Sequence, residues 1–105
     1  MSKEGMKFDD GKPQIGFLLK SFPNALVAAA KQNDFGAKKY DTLNWHKISC
    51  ERYEDALGRH YLTSLIKPDE LDESGELHLA AVIWNACALY ERRLQEQQKA
   101  LSENQ

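Results

Sequence analysis

The sequence predicts an all-α domain: three main helices behind an extended N-terminal arm, packing as a helical-bundle homo-oligomer. Three observations lead there. Apolar residues recur at helical spacing over three separate stretches, Gly and Pro punctuate the segments between them, and no stretch alternates convincingly as a strand does. A chain of 105 residues is one domain at most, taken here as residues 1–105. Its 42% hydrophobic and 29% charged residues describe an ordinary globule rather than a disordered or fibrous chain.

Residues 1–20 read as the arm. In "KFDDGKPQIGFLL", Asp10-Gly11 marks a turn and Pro13 pushes Lys12 out of the helical region. Ile15, Phe17, Leu18 and Leu19 are apolar enough to dock it on a core. The helical core is expected over 21–96. Its first helix takes Ser21 as N-cap and Pro23 near the first helical position, runs through "NALVAAAKQNDF", and stops at Gly36. The connector "AKKYDTLNWHKIS" follows, too long and chemically varied to be a mere link.

The second helix is expected from about Glu51 to Ile66, closed by Pro68. Tyr53, Leu57, His60, Tyr61 and Ser64 share one face, with Glu54 and Asp55 pointing to a side. "KPDELDESGE" is an acidic turn. The third helix then runs from about Gly75 into the high nineties, and 97–105 should fray once the apolar stripe ends at Leu94. Leu79, Ile83, Ala86, Tyr90 and Leu94 on one side, with Val82 and Leu89 on the other, need more neighbours than two helices supply. Self-association, as a dimer or higher oligomer, is the expectation.

A formal net charge of −2 argues against duplex nucleic acid as a partner. No run reaches the length of a membrane span and no signal-peptide core precedes the domain, so a cytoplasmic protein is expected. Cys50 and Cys87 lack a metal-binding spacing, and Cys87 reads as a small core residue.

Polar residues set into the helices carry the functional argument. His78, Asn85 and Arg92 recur every seven residues and line one side of the third helix. His60 sits in the stripe of the second, beside Arg59. A short turn makes these helices antiparallel neighbours, which brings His60, His78 and the turn residues Asp72 and Glu73 to one end. There they can hold a divalent metal or act as acid and base near a phosphate; alternatively, each His is a satisfied core residue. Arg59, Lys38 and Lys39 can offset phosphate charge. Tyr40 and Trp45 can stack a nucleobase whose edge Asn44 reads, or Trp45 plugs the core and Asn44 supports a turn. Glu51, Glu54 and Asp55 form a carboxylate cluster able to seat Mg²⁺, and equally complement the helix dipole.

In their order and spacing, "KFDDGKPQ", "FGAKKYDTLNW", "RYEDALGRH" and "DESGELHLA" resemble a family of small tailed-phage proteins, the dATP/dGTP diphosphohydrolase N-terminal domains. The resemblance covers about Lys7 to Tyr90. It implies kinship with the all-α MazG-type pyrophosphohydrolases, Mg²⁺-dependent helical oligomers that cleave nucleoside triphosphates to monophosphate and pyrophosphate. It points at Lys38, Tyr40, Asn44, Trp45, Arg59, His60, Asp72, Ser74, Gly75 and His78. Where those enzymes follow an ExxE pair with ExxD, this chain has Glu51 and Glu54 but then His78 and Ala81. The implied metal site is therefore rebuilt from His and Asp, favouring Mn²⁺ over Mg²⁺, or nucleotide is bound without cleavage.

The expected function is purine nucleoside triphosphate pyrophosphohydrolysis. His60, Asp72 and His78 take the catalytic roles, and Glu54, Asp72 and His78 hold Mg²⁺ or Mn²⁺. Lys38, Lys39, Tyr40, Asn44, Trp45, Arg59 and Asn85 bind the substrate. The rivals are a non-catalytic oligomer that sequesters a nucleotide signal and a small helical adaptor.

Overall fold

The computed structural model describes residues 5–104 and is all-α. Helix α1 spans Ile15–Ser21, α2 Pro23–Lys39, α3 Cys50–Ile66 and α4 His78–Glu103, with a single 3-10 turn at Asn44–Lys47 between α2 and α3. The described part of the arm is extended only up to Gln14; from Ile15 it coils into one short helix.

Helix α2 begins as its sequence dictates, with Pro23 in the first turn, where its missing N–H costs nothing. Ser21 does not cap it. Its hydroxyl donates back to Phe17 O at 2.8 Å and closes α1 instead. Gly36 does not end α2 either: it keeps a negative φ, and three good helix formers follow it. The helix closes at Lys39, with the Tyr40 N–H bonded to Gly36 O and two lysines in the last turn matching the dipole.

Helix α3 is capped by Ser49, whose Oγ accepts from the Arg52 N–H at 3.3 Å. Between α3 and α4 lies a built turn. Asp72 N–H bonds to Glu76 O at 2.9 Å, Gly75 N–H to Asp72 O at 3.0 Å, and Leu71 bridges Leu77. Gly75 holds φ at +86°, a region other residues enter only with strain. This turn uses the residues up to Leu77, so α4 starts at His78 rather than at Gly75.

Helix α4 has 26 residues and is about 39 Å long at 1.5 Å per residue. It persists beyond Leu94 to Glu103, against the expected fraying. Gln, Glu, Lys and Ala there favour helix without an apolar stripe, and Lys99 pairs with Glu103.

Helices α3 and α4 pack antiparallel, with α2 against α4 and α1 against α2. At one end of the pair His60 meets His78; at the other, Arg92 Nε donates to Ile48 O at 2.9 Å and Arg93 pairs with Glu54. The inward stripe of α4 is Ala81, Asn85 and Ala88, all buried, continued by half-buried Arg92. Two alanines let the helices approach closely. Leu79, Tyr90 and Leu94, on the side expected to need neighbours, are exposed in the single chain; Cys87, read from sequence as a small core residue, is exposed as well. No helix among the described residues is long and apolar enough to cross a membrane.

Candidate functional site

His60, near the end of α3, and His78, the first residue of α4, converge because a turn of eleven residues reverses the chain between them. Their Nδ1 atoms are 2.8 Å apart. Only one of the two can carry the intervening proton. Glu70 decides which: its Oε2 lies 3.2 Å from His78 Nε2, so that nitrogen keeps its hydrogen and Nδ1 offers a lone pair. His60 Nδ1–H is then the donor, and His60 Nε2 is left as a free base. Burial, reinforced by the neighbouring His78, lowers the His60 pKa and outweighs the opposite pull of Asp72, which keeps the ring neutral near pH 7.

Asp72 completes the group. His60, Asp72 and His78 each offer a donor atom within 4.8 Å of the others. The Asp72 carboxylate is tethered on both oxygens. Oδ1 accepts from the Ser74 N–H at 2.7 Å and from the Ser74 hydroxyl, and Oδ2 accepts from Gln32 Nε2 at 3.3 Å. Two imidazoles and one carboxylate suit a divalent transition-metal ion better than Mg²⁺, which prefers oxygen throughout.

A cavity of about 390 Å³ opens beside this trio, between α2, α3, α4 and the connector. Of the residues singled out from sequence, Lys39, Tyr40, Asn44, Trp45, Arg59, His60 and Asn85 line it. At the His60 end sit Arg59 and Lys39. Lys39 is held by Glu73 at 2.9 Å, which raises its pKa and keeps it charged, and its ammonium lies 5.2 Å from the centre of the Tyr40 ring. The far end is aromatic. Trp45 stacks on His46 at 3.7 Å, and Tyr53 donates to Trp45 O at 2.9 Å while meeting Trp84 edge-on at 5.9 Å. Asn85 donates one N–H to Ala81 O at 2.7 Å.

Two assigned residues stand elsewhere. Glu54 does not join His60, Asp72 and His78. It lies six residues before His60, about 120° round the helix, and its carboxylate pairs with Arg93. Lys38, turned about 100° from Lys39, is exposed and does not border the cavity.

Gln32, Asn33, Arg52, Tyr53 and Trp84 are among the lining residues that the sequence reading did not assign to a site, although Tyr53 had been placed on an inward face. Arg52 carried the clearest signal, standing seven residues before Arg59 and hence on nearly the same face. Neither arginine has a carboxylate within 4.0 Å among the described residues. Trp84 Nε1 donates to Asn33 Oδ1 at 2.8 Å, which ties α4 to α2 across the cavity floor.

A family model of dATP/dGTP diphosphohydrolase N-terminal domains matches residues 2–102. A dATP/dGTP diphosphohydrolase of Salmonella phage PMBT28 is 36% identical over 77 residues, which are 73% of this chain and 25% of that relative. The chain thus spans a quarter of the length of the curated relative it matches. No solved structure matches it.

Proposed function

The chain belongs to the family of dATP/dGTP diphosphohydrolase N-terminal domains, and on that premise we propose that it binds a purine deoxynucleoside triphosphate in the α2–α3–α4 cavity and hydrolyses it to monophosphate and pyrophosphate. The observation that carries this reading is a cavity lined by a free imidazole base, by two guanidinium groups without a carboxylate partner among the described residues and by an aromatic far wall, with the tethered Asp72 carboxylate beside that imidazole.

The substrate lies along α3 in this scheme. Tyr40, Trp45 and Trp84 stack the base, whose edge Asn44 and Asn85 read through paired donors and acceptors. Arg59 and Lys39 neutralise the phosphates at the His60 end, and Arg52, free of any carboxylate, offers a second guanidinium along the same face. His60 Nε2 takes a proton from the attacking water, while Glu70 holds His78 in the tautomer that keeps that nitrogen free. Asp72 and His78 would hold a divalent cation, which would supply Lewis acidity and charge neutralisation at the phosphates. Water oxygen bonds to the α-phosphorus as its bridging bond to the β-phosphate breaks, and pyrophosphate leaves with the electron pair.

The test is a panel of deoxynucleoside triphosphates with Mg²⁺ or Mn²⁺, scored for pyrophosphate. Release from dATP or dGTP, lost in His60→Ala, supports the enzyme. One observation favours a second reading, nucleotide sequestration: the cation group has a single carboxylate where the related enzymes use four. Tight retention of unchanged nucleotide in the same assay selects that reading, and a Tm indifferent to every nucleotide and cation removes both.

A further inference from the structure

We propose that Gln32 is a positioning residue for the hydrolytic step: its amide nitrogen aligns Asp72 and its amide oxygen accepts a hydrogen from the attacking water. The inference rests on the hydrolytic reading above and assigns a role to a residue that reading leaves unused.

Gln32 reaches the cavity wall from α2. Its Nε2 donates to Asp72 Oδ2 at 3.3 Å, across forty residues of sequence. An ionised carboxylate only accepts, so the atom facing it must be the amide nitrogen, and this fixes where Oε1 points. That oxygen is buried and has no hydrogen-bond partner among the described residues. It is the only buried side-chain polar atom among them in that condition. Buried polar atoms are otherwise nearly always paired, so an unpaired acceptor next to reactive groups marks a partner that arrives with the reaction.

That partner must donate. Phosphate oxygens at neutral pH do not, which leaves water, a sugar hydroxyl or a base N–H. The tie to Asp72 holds Oε1 at the imidazole end of the cavity, away from the aromatic wall where base and sugar are placed, and this favours water. As the water oxygen bonds to phosphorus and pyrophosphate departs, one water proton passes to His60 Nε2. The other stays directed at Gln32 Oε1 and remains on the new monophosphate until solvent removes it. Two acceptors on one water fix the direction of its attacking lone pair, the kind of alignment on which near-attack geometry depends.

The experiment compares wild type, Gln32→Met and Gln32→Glu. Turnover of dGTP and of 2′,3′-dideoxy-GTP is followed across pH with Mn²⁺, and Mn²⁺ affinity is measured by electron paramagnetic resonance without nucleotide. Gln32→Met should lower kcat about 10- to 100-fold, leave KM within about twofold, and weaken Mn²⁺ through the loosened Asp72 by about tenfold. Gln32→Glu should regain activity as pH falls, because a protonated carboxyl restores both the donor to Asp72 and the acceptor for water. A purely structural role predicts no such recovery. A Gln32→Met deficit that vanishes on the dideoxy substrate assigns Oε1 to the sugar hydroxyl and overturns the proposal. So does wild-type kcat in Gln32→Met, which leaves the hydrolytic reading intact; a wild type without turnover removes both.

Discussion

His60 and His78 share one proton across 2.8 Å, and the carboxylate of Glu70 on the far side of His78 decides which ring carries it. Three side chains from α3, the turn and α4 thus set the protonation state of a base without that base touching an acid directly.

Glu70→Gln should therefore impair the reaction while leaving the fold intact. The amide can donate to His78 Nε2, which reverses the tautomer and places a hydrogen on His60 Nε2. A fall in kcat of about 10- to 100-fold is expected, with far-ultraviolet circular dichroism unchanged. An unaltered kcat would show that the proton on His60 is set by something else.

The cation-free chain should lose stability in mild acid. His60 has its pKa lowered in the fold by burial and by His78, so the unfolded state binds the proton more readily. Stability from this source is complete above the ordinary histidine value of about 6.5. It declines as pH drops below that, and levels off beneath the folded-state value. Denaturant titrations from pH 7.5 to 5 should show the midpoint falling for wild type and falling less for His60→Gln.

Arg52 and Arg59 should act on affinity rather than on the chemical step. Neither has a carboxylate partner among the described residues, and a hydrogen bond to a charged group contributes about 1.5–3 kcal/mol. Arg52→Gln and Arg59→Gln should each raise KM for dGTP about 10- to 100-fold at constant kcat. A change in kcat alone would place these groups at the transition state.

Gly75→Ala isolates a backbone effect. Nothing lies within 4 Å of an added Cβ, so the cost comes from the φ of +86° rather than from crowding. A loss of about 1–2 kcal/mol is expected by urea melting. Because Gly75 N–H bonds to Asp72 O, weaker Mn²⁺ binding should accompany it.

Self-association should be measurable. Ile15, Phe17, Leu18, Leu19 and Phe22 stand exposed along α1, and Leu62, Leu65 and Ile66 at the end of α3. Exposed apolar side chains in this number are uncommon on a monomer. Light scattering should give a mass of at least two chains, falling towards one in Leu65→Glu/Ile66→Glu.

The convergence of His60 and His78 was legible because it needs only two helices and a short turn. The end of α3 at Ile66 was also legible, since Pro68 cannot continue a helix. What failed had competing local signals. Gly36 offers a stop that its neighbours override, and the ExxE spacing drew attention to Glu54, which rotation about α3 carries away from the imidazoles. Gln32 was beyond reach. Its contact with Asp72 depends on how α2 leans on α4, and no periodicity within α2 encodes that angle.

The chain contains two tryptophans, and Trp45 and Trp84 both border the cavity. Its ultraviolet emission is consequently a built-in gauge of what enters there. A purine laid against either indole should dim the signal in proportion to occupancy, with no dye, label or coupled reaction required.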